Sequence, residues 1–197
     1  MVAVSGIIAT GIGIPLGAFF LVTTDKGHIL ENAPINRVFG TIVNIIRSVP
    51  FIILLIMVLP ITKFIVGKTI GSNATVVPLI IAAAPYIGRM VESSLKEVDA
   101  GVIEAAKSMG ASTWQIIVKV LLPEAKPSLL VGAAISVTTI LGYSAMAGFT
   151  GGGGLGDIAI RYGYHRYQTD MMMVTVVLLV IIVQLIQEVA MRMSQKE

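Results

Sequence analysis

The sequence predicts an all-α integral membrane protein, and three observations support this fold class. Of its 197 residues, 55% are hydrophobic and only 13% are charged, whereas a typical soluble domain carries about 25% charged residues. Several stretches near spanning length contain no Asp, Glu, Lys or Arg, and a helix of about 20 apolar residues crosses the hydrocarbon core. The mean hydropathy of the whole chain is +0.90. We therefore expect a single membrane domain over residues 1–197.

Five spanning helices are expected, and one long polar segment interrupts them. The predicted loop covers residues 89–126, between the third and fourth spans. Basic residues concentrate in cytoplasmic loops, and nine of them lie in this loop, in segment 23–37 and in the C-terminal tail, against four on the other side. This asymmetry places the loop and the C-terminus in the cytoplasm and the N-terminus outside. The expected spans are approximately 1–22, 38–62, 69–88, 127–148 and 171–190.

The composition and two failed motifs argue against catalysis, metal binding and nucleotide binding by this chain. Cysteine is absent, which excludes disulfides and thiolate ligands. Residues 67–69 read Gly-Lys-Thr, but the glycine that a phosphate-binding loop needs five positions earlier is missing. The glycines of 151–156 lie between two membrane spans without a βαβ unit. We interpret His28 and His165 as solvated loop residues, so no catalytic residue and no metal ligand is expected, and the basic pI of 9.3 reflects the loops and not nucleic-acid binding.

The polar interruption has the pattern of two short helices joined by a glycine. Asp99 is placed to cap the first helix, and Gly110 supplies the left-handed residue that ends it. Ser112 and Gln115 have the spacing of a capping box, which predicts that a second helix begins there. That helix is expected to end at Pro123.

The first of these helices has an apolar face and small side chains that suit it to a groove on a partner protein. An alternative is a helix lying on the bilayer surface, which would favour larger apolar residues and more Lys or Arg. The predicted face consists of Val102, Ala105, Ala106 and Met109, with Glu104, Lys107 and Ser108 towards the other side.

Residues 104–123 resemble the EAA---G---------I-LP signature of ABC importer permeases, with Val120 in place of the Ile. In that family the segment is the coupling helix, which seats in an ATPase subunit and transmits its closure to the membrane helices. By this resemblance, ATP and Mg²⁺ would bind to the partner ATPase, and this chain would hold no cofactor. The implied coupling residues are Glu104, Ala105, Ala106, Gly110, Leu122 and Pro123.

The resemblance covers nearly the whole chain and narrows to the methionine importer branch, through 44–55, 84–92, 142–148, 154–156 and 162–164. It implies the type I importer permease fold and a homodimer in the bacterial inner membrane. It also implies two cytoplasmic ATPase subunits, an extracytoplasmic substrate-binding protein and methionine import by alternating access. Importers of other amino acids share the signature, so another small nutrient stays an alternative. An ion-coupled secondary transporter or a membrane enzyme would need ionisable residues inside the spans, which are nearly lacking.

The fourth span carries a mildly polar stripe on an otherwise apolar helix. Ser136, Thr139, Tyr143 and Met146 recur at spacings of three and four, which puts them on one helix face. The stripe is our candidate for the translocation pathway. Hydrogen bonding between helices by Ser and Thr is an equal alternative.

Arg47 is a charge inside the second predicted span, and intramembrane charges are functional candidates. We expect it in the cytoplasmic half of the membrane, where an arginine can extend to the interface. Anchoring, contact between subunits and a gating role are the three open interpretations.

Overall fold

The computed structural model describes residues 1–23 and 33–194, and within them every regular element is helical. His28 and most of the expected loop 23–37 lie outside the described residues. The α-helices are α1 (Val2–Thr23), α2 (Ala33–Ser48), α3 (Phe51–Met57), α4 (Leu59–Val66), α5 (Ser72–Lys96), α6 (Ala100–Ser108), α7 (Thr113–Ile116), α8 (Leu122–Glu124), α9 (Lys126–Met146), α10 (Gly154–Ile158) and α11 (Thr169–Ser194). Two π-helical turns, Ile117–Leu121 and Ala159–Tyr164, and a 3₁₀ turn, Ala147–Thr150, complete them.

Four of the described helices are long and apolar enough to cross a membrane, namely α1, α5, α11 and α9 with its 3₁₀ extension. The second predicted span, 38–62, is not one straight helix. It is divided among α2, α3 and α4, and α2 and α3 meet at an angle of 107°. Pro50 explains the break, since it lacks an N–H and disfavours helical backbone at the preceding residue. A fifth span exists only if this bent pair counts as one.

Helix α5 is longer than the predicted span 69–88, because it continues to Lys96. The added turns contain Arg89, Glu92 and Lys96, which pair with one another along the helix. Since these charges find partners within the fold, they do not end the helix.

The centre of the molecule is the contact between α1 and α5, which small residues make possible. Ala9 and Gly17 of α1 are buried together with Gly13. A Cβ atom at Gly13 would lie 2.5 Å from Ile87 Cγ2, and one at Gly17 would lie 2.6 Å from the Gly88 carbonyl oxygen. Ala9, Gly13 and Gly17, spaced four residues apart, therefore form a packing face on which the backbones of α1 and α5 approach each other directly.

The segment α6–α8 closes one end of this bundle, which we call the loop end. The C-terminal ends of α1 and α5 and the N-terminal end of α9 lie at the loop end. Buried side chains of the segment, Ile103, Ile116 and Leu121, share one core cluster with Leu95 of α5. The segment is thus seated on the bundle and is not a detached arm.

Candidate functional site

The two short helices at the loop end are capped as their sequence predicts. Asp99 Oδ1 accepts a hydrogen bond from the Gly101 N–H at 2.7 Å. The Ser112 N–H donates to Gln115 Oε1 at 2.8 Å, and the Gln115 N–H donates to Ser112 Oγ at 3.4 Å, which completes the capping box. Gly110 has φ of +77°, a left-handed conformation that glycine adopts without strain. The helix–glycine–helix prediction is confirmed.

The predicted apolar face of α6 is divided between two sides of the helix. Ala106 is buried with Ile103 against the bundle, whereas Val102, Ala105 and Met109 are exposed. The expectation of one docking face with all four residues was wrong, because α6 rests on the bundle through positions 103 and 106, one turn apart. Only the outward side of α6 is available to another protein.

An exposed apolar patch remains on this outward side. Met109 is 81% exposed, and Trp114, at the start of α7, is 72% exposed. Large exposed apolar side chains at one place mark an interaction site more often than scattered ones do. Trp114 was not predicted as a candidate contact, although the chain's single tryptophan lies in a polar segment directly after a helix cap.

The end of the loop differs from the prediction at Pro123. The second helix does not stop there, because a π-helical turn, Ile117–Leu121, leads into α8, and Pro123 occupies the first turn of α8. In a first turn the missing N–H of proline costs nothing. Leu122 packs partly buried against the core, and α9 follows after Ala125 alone. The loop is therefore joined to a long membrane helix without a flexible linker.

The four residues of the predicted pathway stripe lie in different environments. Ser136 is buried and donates to the Gly132 carbonyl at 2.8 Å, and Thr139 donates to the Ile135 carbonyl at 2.8 Å. Both hydroxyls therefore bond within α9, and among the described residues neither makes the hydrogen bond between helices that was the alternative. Tyr143 stacks on Phe51 of α3 with ring centroids 4.6 Å apart. Met146 is 45% exposed.

Arg47 lies farther from the loop end than expected. On the same helix, Asn36 donates to the Phe20 carbonyl and to Thr23 Oγ1, both at 2.9 Å, at the loop end of α1. Arg47 follows eleven residues later, about 16 Å along the helix at 1.5 Å per residue. It lines a small cleft with Tyr86, midway along α5, and with Tyr143, near the far end of α9. Arg47 therefore sits beside the middle of the bundle.

A buried cluster of charges at the loop end was not singled out from the sequence. Glu92 is only 5% exposed, and its two carboxylate oxygens accept from Arg89 Nη1 at 2.6 Å and from Lys96 Nζ at 2.7 Å. The sequence does indicate this cluster, since the spacings of three and four residues between Arg89, Glu92 and Lys96 place them on one helix face.

Arg89 also connects α5 to two neighbouring helices. Its Nη2 donates to the Gly40 carbonyl of α2 at 3.3 Å, and its guanidinium lies 4.3 Å from the centre of the Phe20 ring of α1. A cation over an aromatic face is attracted by the ring quadrupole. This cluster holds α1, α2 and α5 together at the loop end, beside the segment α6–α8.

No metal site is formed by the described residues: within 1–23 and 33–194, no three His, Cys, Asp or Glu side chains come together in a way that could hold an ion.

The family profile of the binding-protein-dependent transport system inner membrane component matches residues 9–195. The chain belongs to this family, and the resemblance read from its loop is confirmed.

Individual proteins similar to this chain point to one branch of the family. The probable D-methionine transport system permease protein MetI of Vibrio cholerae is 54% identical over 189 residues, which are 96% of this chain and 84% of that protein. The methionine import system permease protein MetP of Bacillus subtilis is 47% identical over 167 residues, covering 85% of this chain and 75% of that one.

Solved structures agree on the fold. Inward-facing conformations of the MetNI methionine ABC transporter contain a chain with a TM-score of 0.96 and 49% identity, covering 100% of this chain and 90% of that one. An amino acid ABC transporter determined with histidines has a TM-score of 0.77 at 20% identity, which shows the fold alone. The fold is that of a type I ABC importer permease, as expected.

Proposed function

We propose that this chain is the membrane-spanning subunit of an ATP-driven importer of methionine, in which two copies form the pore. The relatives named as methionine permeases support the substrate. The observation that carries the transport mechanism is the loop end. There Met109, at the end of α6, and Trp114, at the start of α7, are exposed, while Ile103 and Ala106 fix α6 to the bundle.

The exposed side of α6 docks in this proposal into a groove on a cytoplasmic ATPase subunit. Val102, Ala105 and Met109 contact the partner, and Glu104 lies at the rim. ATP and Mg²⁺ bind to the ATPase, and this chain supplies neither a nucleotide site nor a cofactor. A coupling element transmits work only if it binds two partner conformations with different free energies.

Movement of α6 reaches the pore through the short turn at Gly110 and then through a run of connected helices. Gly110 joins α6 to α7, and the π-helical turn and α8 continue into α9 with Leu122 and Pro123 at the junction. When the ATPase subunits close, α9 moves with the loop, and the pathway switches between outward-facing and inward-facing states. The candidate pathway residues Ser136, Thr139, Tyr143 and Met146 all lie on α9.

The opposite end of the bundle is the proposed docking surface for an extracytoplasmic binding protein. Phe149 is 63% exposed, Tyr164 is 62% exposed and Tyr167 is 89% exposed. Aromatic side chains are enriched at protein interfaces. This assignment places the loop end in the cytoplasm and the N-terminus outside, in the bacterial inner membrane.

The experiment that tests coupling compares two bulky substitutions at exposed positions. Ala105→Trp fills the proposed contact with the ATPase, and Lys63→Trp adds the same side chain on α4, away from the loop. Because both positions are exposed, both variants are expected to insert and to purify with normal yield.

Ala105→Trp is expected to lower co-purification with the ATPase and ATP-dependent methionine uptake into proteoliposomes by at least about tenfold, since a lost central contact costs more than about 1 kcal/mol. Lys63→Trp is expected to behave as the parent. Normal ATP-dependent uptake by Ala105→Trp would refute the docking of α6.

The substrate is tested by competition among L-methionine, D-methionine and other amino acids for the same uptake. Stronger competition by another amino acid would favour the alternative substrate class. Uptake that follows an ion gradient and continues without ATP would instead indicate an ion-coupled secondary transporter.

A further inference from the structure

Arg47 is a cation that the fold leaves without a partner. Arg47 is exposed in the subunit, and its side chain forms no ion pair and no hydrogen bond with any residue in the described parts of the chain. The other arginine beside the bundle core, Arg89, is held by a carboxylate, a backbone carbonyl and an aromatic ring. Among the described residues, Arg47 has no such contact with a carboxylate, a backbone carbonyl or an aromatic ring.

The cleft around Arg47 brings two further free polar groups to the same place. Tyr86 and Tyr143 line it, and their phenolic groups form no hydrogen bond within the described residues. The remaining lining is apolar and contains no acidic side chain; it consists of Ile46, Val49, Phe51, Leu54 and Ala82. One arginine and two tyrosines thus line the cleft without an acidic side chain among its lining residues.

The dimensions of the cleft suit a small anionic group. Its volume is about 30 Å³, which is room for a group of about the size of a water molecule or slightly larger. A carboxylate group can enter such a space. The stacked rings of Phe51 and Tyr143 form one wall, so an apolar side chain attached to the carboxylate can lie along an apolar surface.

We propose that Arg47, with Tyr86 and Tyr143, binds the α-carboxylate of the amino acid during its passage through the permease. A guanidinium binds a carboxylate through two parallel N–H···O hydrogen bonds, and a phenol donates a further one. Holding an unpaired charge beside the hydrocarbon core is costly, and a transient anionic partner accounts for it. This inference rests on the proposed import function.

A phospholipid phosphate presents the same chemistry to a guanidinium as a carboxylate does. The position of Arg47, about 16 Å along α2 from the loop end, favours the transported substrate over a headgroup at the membrane surface. The experiment has one arm for each source.

The test uses the complete complex of permease and ATPase, photolabelled with a diazirine analogue of methionine that keeps its carboxylate. Peptides containing Phe51 or Tyr143 are expected to be labelled. L-Methionine is expected to block the labelling about tenfold better than methioninol, which lacks the carboxylate, since hydrogen bonds to a charged group are worth about this factor.

Three variants give the comparison. Arg47→Met is expected to lose the labelling of these peptides and to reduce ATP-dependent uptake about tenfold or more, whereas Arg47→Lys, which keeps the charge, is expected to retain most of both. Lys63→Met removes a cation outside the cleft and is expected to change neither. Equal blocking by L-methionine and methioninol, or unchanged labelling in Arg47→Met, would overturn the proposal.

Lipid is examined in the same preparations by mass spectrometry after purification in a detergent without phosphate. A phospholipid that the parent retains and Arg47→Met loses, with equal photolabelling of both, would assign the guanidinium to a lipid phosphate and overturn the inference. Absence of ATP-dependent uptake by the parent would refute the proposed function instead, because the photolabelling does not depend on ATP.

Discussion

Helices α5 and α11 have almost the same length and both pass as membrane spans, yet the fold uses them differently. They contain 25 and 26 residues. In the most apolar window of α5, 67% of residues are buried inside the subunit, against 6% in α11. Apolar composition therefore indicates that a helix can enter the membrane, but it does not tell whether the helix packs against protein.

Side-chain size explains much of this difference. The middle of α5 contains Ala82, Ala83, Ala84 and Gly88, which let neighbouring backbones come close. The middle of α11 consists mainly of Val, Leu and Ile, and most of these side chains are exposed. In lipid, helices associate through close packing and hydrogen bonds and not through hydrophobic burial, so small residues distinguish the helix that packs.

The largest effect is expected from Gly17→Leu on α1, which should destroy the packing of α1 against α5. A Cβ atom there would meet the Gly88 carbonyl and Val91, and backbone cannot move aside as a flexible side chain can. We expect a loss of about 3 kcal/mol or more, measured as thermal stability and yield in detergent. Gly11→Leu is the control on the same helix, because a Cβ at Gly11 has nothing within 4 Å. Equal behaviour of the two variants would contradict the packing face.

A second, smaller effect is expected from truncating a buried side chain of α5. Leu79 is fully buried, whereas Val180 of α11 is 53% exposed. Leu79→Ala should cost about 2 to 3 kcal/mol through the cavity it leaves, while Val180→Ala should cost less than about 0.5 kcal/mol. Denaturation in mixed micelles measures both. A larger loss for Val180→Ala would show that α11 is buried by a partner in the assembled transporter.

The two helices also carry comparable ion pairs in opposite environments. Glu92→Gln leaves Arg89 and Lys96 without their carboxylate and should lower the free energy of unfolding by about 2 kcal/mol. This loss is below the range for fully buried ion pairs, because both cations are partly exposed.

The matched control for that substitution is Glu188→Gln on α11. The Glu188–Arg192 pair has the same length of 2.7 Å but is exposed on both sides, so its loss should cost less than about 0.5 kcal/mol. Thermal unfolding at low and high salt distinguishes the two pairs, since only the exposed one should respond to salt. Similar losses of stability for both variants would mean that the burial of Glu92 does not strengthen its ion pairs.

The sequence predicted what depends on local rules. The caps at Asp99 and Ser112 and the left-handed Gly110 follow from spacing and residue type, and they are observed. The all-helical membrane fold follows from composition and run length alone.

The errors concern contacts between elements, which no local rule contains. Ala106 faces the bundle because α6 packs on it. Pro123 does not end the helical segment, because the π-helical turn before it places Pro123 in the first turn of α8. The position of Arg47 beside the middle of the bundle depends on the course of α2 relative to α5. The coupling and pathway roles of individual residues stay predictions.

The charge cluster of α5 has a consequence for the order in which the protein is made. Synthesis proceeds from the N-terminus, so α1 with Phe20 and α2 with Gly40 leave the ribosome before Arg89 and Glu92 do. Arg89 therefore follows, along the chain, the two groups on α1 and α2 that its guanidinium contacts in the fold. Helix α11 is synthesised last, and few of its side chains are buried against the rest of the subunit. The groups on α1 and α2 that the Arg89 side chain contacts are thus synthesised before Arg89 itself, so this contact between three helices can form as soon as α5 packs against α1 and α2.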